Sequence, residues 1–195
     1  MLGLGALFTA LRPLWSVTES TPPATPTAPA ALCTQGYGLM NQWPVRAVEA
    51  AELFEQGLRS GVCVVDARFG LGWAAQAQGH DAEAQALYAR ALDEAHAAAR
   101  VDLEYFTLHN LGVLHLDHGR PQQALDVIRR GIAIASTNDA VPRDRLWADS
   151  QNAGRALVRL GRAPEAVLEF DVALRAHPDD PALLAERARA AAALK

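Results

Sequence analysis

Two cysteines, Cys33 and Cys63, are all the thiol chemistry in this 195-residue chain. That is too few for the disulfide framework that replaces a core in small secreted domains. A bond between the two is possible, but nothing in their spacing motivates it, and free thiols in a reducing cytoplasm are the expectation. Positive charge is not in excess either. Eighteen Lys and Arg stand against 22 Asp and Glu, a net charge of −4, so the basic footprint of a nucleic-acid-binding surface is missing. No apolar run reaches the roughly 20 residues of a membrane-spanning helix. There is no Gly-rich phosphate loop, no G-x-S-x-G elbow and no C-x-x-C. Gly3-Leu4-Gly5 and Gly70-Leu71-Gly72 are not followed by the rest of any nucleotide fingerprint. Of the six histidines, His109, His115 and His118 lie close together, but no carboxylate or cysteine completes a metal set around them. Asp117 beside His118 reads as solvated surface. The sequence therefore assigns no cofactor, no metal and no catalytic residue, and the chain reads as a non-enzyme.

Half of the residues are hydrophobic, and their spacing is helical. From 108 to 131 one apolar face runs through Leu108, Leu111, Leu114 and His115. A Gly-Arg-Pro turn follows at Gly119 to Pro121, and a second face runs through Ala124, Leu125, Ile128 and Ile132. Apolar residues three and four apart make one stripe per helix, and two such helices joined by a short turn make an antiparallel hairpin. Neither helix buries its stripe alone, so the hairpin needs neighbours. These stand at 71–92 and 153–174. The three copies share a small residue in the first helix (Gly72, Gly112, Gly154), a turn glycine (Gly79, Gly119, Gly161) and an early alanine in the second helix (Ala84, Ala124, Ala166). A large apolar residue follows (Tyr88, Ile128, Phe170), then Ala91, Gly131 or Ala173.

This pattern resembles the tetratricopeptide repeat, with its leucine-glycine pair, alanine, aromatic and proline, over roughly 62–195. The resemblance implies an all-α, right-handed superhelical stack of antiparallel hairpins that binds proteins or peptides. The spacing is longer than the usual repeat of about 34 residues: Gly72 to Gly112 is 40 and Gly112 to Gly154 is 42. Longer-period variants occur in bacterial regulatory and sensor proteins. The excess falls between hairpins. Asp93 to Arg100 has no breaker and predicts a long second helix, while Ser136 to Pro142 reads as a loop.

The repeat domain is expected over 44–195, with repeats near 62–100, 103–137 and 143–178. A capping helix over 181–194 has Asp180 as its N-cap and Pro181 as its first residue. Residues 44–59 form a helix, ended by Ser60-Gly61, whose Ala50, Phe54 and Gly57 match the second helix of a repeat. The residues before it, including Gly36 and Gly38, are poor helix formers, so only a degenerate first copy serving as a cap is expected. Residues 18–43 are a Pro/Thr-rich linker and weak region, the part from Thr18 to Ala31 being an extended tether. Residues 1–17 are apolar. They form either a short helix packed on the repeats or an anchor to a membrane or partner through Leu4, Leu7, Phe8, Leu11 and Trp15. Met40 offers an alternative translation start.

In such stacks the first helix of each hairpin lines the concave side. The expected groove residues are Phe69 and Trp73 in the first copy, with Asp66 and Gln76 beside them. Phe106, His109, Asn110 and Val113 follow in the second, and Gln151, Asn152, Arg155 and Arg159 in the third. Asn110 and Asn152 stand two residues before the repeat glycine, where peptide-binding members of the family hold a ligand's backbone; the first copy has Gly70 there. Arg155 and Arg159, spaced by four with Gln151, suit an acidic group. The function expected is a cytoplasmic protein–protein interaction module that binds a peptide or protein segment, possesses no membrane span and has an oligomeric state the sequence does not fix. The alternative is a scaffold or oligomerisation module acting through its terminal helices or its N-terminal apolar segment.

Overall fold

A computed structural model describes residues 30–40, 42, 46–141 and 145–194. The apolar segment 1–17, the tether from Thr18 as far as residue 29, and Pro44 and Pro142 lie outside the described residues. Nine helices and no strands occur among those described. They are α1 (Ala30–Met40), α2 (Ala47–Ser60), α3 (Val64–Ala77), α4 (Asp81–Ala97), α5 (Val101–Asp117), α6 (Pro121–Thr137), α7 (Leu146–Arg159), α8 (Ala163–Ala176) and α9 (Pro181–Ala192).

Consecutive helices pack as hairpins, and α9 closes the series against α8. Odd helices also touch the odd helix of the next hairpin, from α1 on α3 through to α7 on α9. Comparable contacts do not join the even helices. The odd helices therefore form the inner row of a curved stack and the even helices the outer row, and the molecule is an all-α helical repeat.

The register within each hairpin comes from a glycine facing a large side chain. A Cβ on Gly72 would stand 2.7 Å from the ring of Tyr88, one on Gly112 2.6 Å from Ile128, and one on Gly154 2.7 Å from the ring of Phe170. The recurring large residue of the second helix thus fills the space left by the recurring glycine of the first. The turns repeat as well. Gly79, Gly119 and Gly161 are left-handed, with φ of 77°, 65° and 72°. The N–H of the next residue returns to the carbonyl five residues back, as in Arg120 to His115 at 2.8 Å. The turn between α4 and α5 uses the same bond, Arg100 to Ala95 at 2.9 Å, but puts Ala99 at φ 53°.

The long second helix expected in the first copy is α4. Asp180 caps α9 by accepting from the N–H groups of Ala182 at 2.8 Å and Leu183 at 3.0 Å. The loop expected from Ser136 begins only at Asn138, because α6 runs through Thr137.

Two differences lie at the N-terminal end. Residues 30–40 are a helix despite their glycines, so α1 and α2 make a full hairpin where a partial one was expected. Packing overrides propensity here: Gly36 lies flat against the Phe54 ring, and Tyr37 stacks edge-on to it with centroids 5.4 Å apart. Met40 is fully buried at the end of α1, and a chain starting there would lack the rest of that helix. The second difference corrects the expectation of free thiols. Cys33 of α1 and Cys63 at the start of α3 form a disulfide. Their spacing could not show it, because the pairing exists only once α1 packs on α2 and α3.

Candidate concave binding face

The side chains of α5 divide cleanly. Leu103, Tyr105, Leu108, Leu111, Leu114, His115 and Leu116 are buried, whereas Phe106, Asn110 and Val113 are half-buried and Asp117 is exposed. These four are spaced by four, three and four, which puts them on one helical stripe. On α7 the corresponding open stripe is Trp147, Gln151, Arg155 and Arg159, and on α3 it includes Trp73 and Gln76. Since the odd helices form the inner row, these stripes lie along the concave face. Trp73, Phe106 and Val113 make its N-terminal half apolar. Gln151, Arg155, Arg159 and Asp117 make its C-terminal half polar.

Each seam between neighbouring inner helices carries a polar cluster. Between α3 and α5, the buried Tyr88 hydroxyl of α4 donates to Gln76 Oε1 at 2.9 Å. Asn110 lies against the same hydroxyl, with its Nδ2 buried. Burial pushes the Tyr88 phenol well above its ordinary value. Between α5 and α7, Asp149 is 1% exposed. It accepts from the Tyr105 hydroxyl at 2.6 Å and lies 2.7 Å from His109 Nδ1. Between α7 and α9, Glu186 accepts from Gln151 Nε2 at 2.9 Å and from Arg155 Nε at 2.8 Å. Arg155 Nη1 also donates to Asn152 Oδ1 at 3.3 Å. Arg159 Nη1 donates to the Leu116 carbonyl at the C-terminal end of α5, a favourable place for a cation on the helix dipole. Although Asp117 reaches solvent, partial desolvation raises its carboxyl above the ordinary aspartate value, against the pull of Arg159 and His118.

The structure thus places the sequence candidates in three settings. Trp73, Phe106, Asn110, Val113, Gln151 and Arg155 line the face as half-buried residues, and Arg159 is exposed at its edge. His109 and Asn152 are buried in the seams. Phe69 is in the core at 1% exposed, between the rings of Tyr37 and Tyr88, so it is absent from the face. Gly70 replaces the asparagine of the other copies because the Phe54 ring occupies its Cβ position, 2.3 Å away. Sequence reasoning missed Trp147, Asp149 and Glu186. Their signal was the contact between hairpins, which no single-helix stripe reveals. His115, a packed histidine, is buried with an unpartnered Nδ1, and its pKa is lowered chiefly by burial, with Arg120 and His118 adding to the shift. No helix among the described residues is long and apolar enough to cross a membrane.

Comparison with known proteins agrees with this architecture. A tetratricopeptide-repeat family model matches residues 152–195. The sequence matches none of the curated proteins. Solved structures align over most of the chain. PilF of Pseudomonas aeruginosa is 18% identical, with 83% of this chain and 67% of that one covered at a TM-score of 0.67. MamA of AMB-1 is 22% identical, covering 83% and 85% at 0.63. A putative kinesin light chain with nearly identical TPR-like repeats from Podosopora anserina is 20% identical, covering 86% and 89% at 0.65. At these identities the likeness is one of fold. With the glycine register, the left-handed turns and the inner row of odd helices, it makes this chain a tetratricopeptide-like repeat protein.

Proposed function

We propose that the concave face binds an extended peptide or protein segment and that the chain is a non-catalytic interaction module. The observation that carries this is the open stripe itself. Phe106, Asn110, Val113 and Gln151 are held on rigid inner helices, and each is only half-buried on the concave face. Rigid elements that present half-buried aromatic and amide groups bind at little cost in ordering. Trp73, Phe106 and Val113 supply apolar contact. Asn110 adds a half-buried amide side chain beside them. Gln151 and Arg155 receive a ligand carboxylate in exchange for Glu186, and Arg159 adds positive charge at the rim. His109 acts from the α5–α7 seam through Asp149, and Asn152 orients Arg155.

The test compares capture of partners by wild type, by Val113→Asp/Gln151→Ala, and by Leu168→Asp on the outer helix α8, where Leu168 is 65% exposed. The groove variant should lose partners that wild type and the outer variant both retain, with melting temperatures unchanged. Equal recovery by all three removes the concave face from consideration. A second reading, end-to-end assembly, rests on Leu184 of α9 and Leu194, both exposed at the end of the stack. Sedimentation of wild type and Leu184→Glu tests it. A concentration-dependent oligomer abolished by the substitution supports assembly, and a monomer in both cases excludes it.

A further inference from the structure

The disulfide ties α1 to the start of α3 across α2. Helix α1 contains two glycines and, among the described residues, packs chiefly on α2 and α3. Cys33 is 3% exposed, and Cys63 is half-buried at the N-cap of α3. Both sulfurs lie over Gly57 of α2, where a Cβ would come within 2.8 Å of Cys63 Sγ and 2.9 Å of Cys33 Sγ. Gly57 occupies the repeat position that is Ala91 in one copy and Ala173 in another. Gly131 at the same position of the central copy would meet nothing closer than 3.6 Å, at Leu108. Only in the first hairpin, then, does this position need a hydrogen for its side chain, and the atoms that require it are the two sulfurs.

We propose that this first hairpin is locked by oxidation, and that the chain takes its working form in an oxidising compartment through exchange with a disulfide-bearing oxidant. This displaces the expectation of a reducing cytoplasm, since disulfides persist where thiol-reducing systems are absent. The step is a two-electron exchange. The thiolate of Cys63, the more exposed sulfur, attacks one sulfur of the oxidant's disulfide and releases that partner's second thiolate. Cys33, having lost its proton, then attacks Cys63 Sγ in the mixed disulfide and expels the partner. Two protons and two electrons leave the chain, and the oxidant departs as a dithiol. The bond closes a loop of 30 residues in sequence separation around both helices of the hairpin. It keeps α1 seated on α2, where Gly36 and Tyr37 lie against the Phe54 ring.

The experiment uses the full chain, purified without reductant and with free thiols alkylated at lysis. Intact mass should be two hydrogens below that of the reduced chain, with no alkylation. Reduction should raise amide exchange in α1 by roughly a hundredfold or more, as expected for release of a loop of this length, while α5 to α8 keep their protection. Gly57→Ala should lower the melting temperature of the oxidised chain. In a Cys33→Ala/Cys63→Ala background the same substitution should be neutral or raise it. Two alkylated thiols in the native chain would overturn the proposal. So would an α1 equally protected before and after reduction, or a Gly57→Ala effect of the same sign in both backgrounds.

Discussion

Asp149 offers the sharpest energetic test of how the α5–α6 and α7–α8 hairpins are joined. It is a buried carboxylate serving two buried donors, the Tyr105 hydroxyl at 2.6 Å and the His109 imidazole at 2.7 Å. Replacing it by alanine strands both donors. Each buried donor left without a partner costs about 1–3 kcal/mol, so stranding two costs several kcal/mol. Asp149→Ala should therefore destabilise by about 3–5 kcal/mol. In a chain of this size that corresponds to a melting temperature lower by roughly 6–20 °C. Tyr105→Phe removes one charge-assisted bond and leaves the histidine contact, so about 1.5–3 kcal/mol is expected. Asp149→Asn keeps the shape and one acceptor and should fall between them. The double variant Tyr105→Phe/Asp149→Asn should show a coupling of about 0.5–3 kcal/mol, because the two residues share a bond. Urea unfolding followed by circular dichroism measures all four. An Asp149→Ala protein within about 0.5 kcal/mol of wild type would refute the reasoning, as would strictly additive losses in the double variant.

Three further outcomes follow from individual residues. Between α4 and α5, Ala99 carries the left-handed conformation that glycine carries at four other helix–helix turns, Gly61, Gly79, Gly119 and Gly161, at a cost of roughly 1–2 kcal/mol for an L-residue. Ala99→Gly should accordingly stabilise by up to about 1 kcal/mol after its extra unfolded-state entropy is counted, and a lower melting temperature would contradict this. His115 has a folded pKa below its unfolded one, so the unfolded chain binds the extra proton first. Its contribution to stability is present above the unfolded value near 6.5 and is lost as pH falls through and below it; urea titrations from pH 7.5 to 5.5 should show wild type weakening relative to His115→Leu, and parallel curves would exclude the effect. Ala124 is fully buried between α5 and α6, so Ala124→Leu should overpack that contact and cost about 1–3 kcal/mol, with an unchanged melting temperature arguing against the hairpin register.

The parts of the fold that were legible in the sequence are those in which both members of a contact repeat. Gly72 with Tyr88, Gly112 with Ile128 and Gly154 with Phe170 are the same lock used three times, and the turn glycines recur because the backbone there requires positive φ. Asp180 was legible as a cap because its role is local. What the sequence hid depends on a neighbour that the helical period does not name. Helix α1 reads as a poor helix former, since its glycines matter only against the Phe54 ring. The cysteine pair was hidden behind that same helix. Phe69 sits on the face that points to the groove in a lone hairpin, but the preceding hairpin brings Tyr37 over it. On the concave face, the stripe through Phe106, Asn110, Val113 and Gln151 could be read from spacing. The engagement of Arg155 by Glu186, and of His109 by Asp149, could not, because each links residues more than 30 positions apart.

The concave-face account is tested most directly by where a partner touches the chain. A photoreactive amino acid can be placed singly at Val113 on the inner row and at Leu168 on the outer row, in the otherwise native full-length protein, and crosslinked in its own cells. Adducts are expected at position 113, with partner peptides mapped to that residue by mass spectrometry, and none above background at 168. Adducts confined to 168, with position 113 silent in a protein shown to be folded, would contradict binding in the groove.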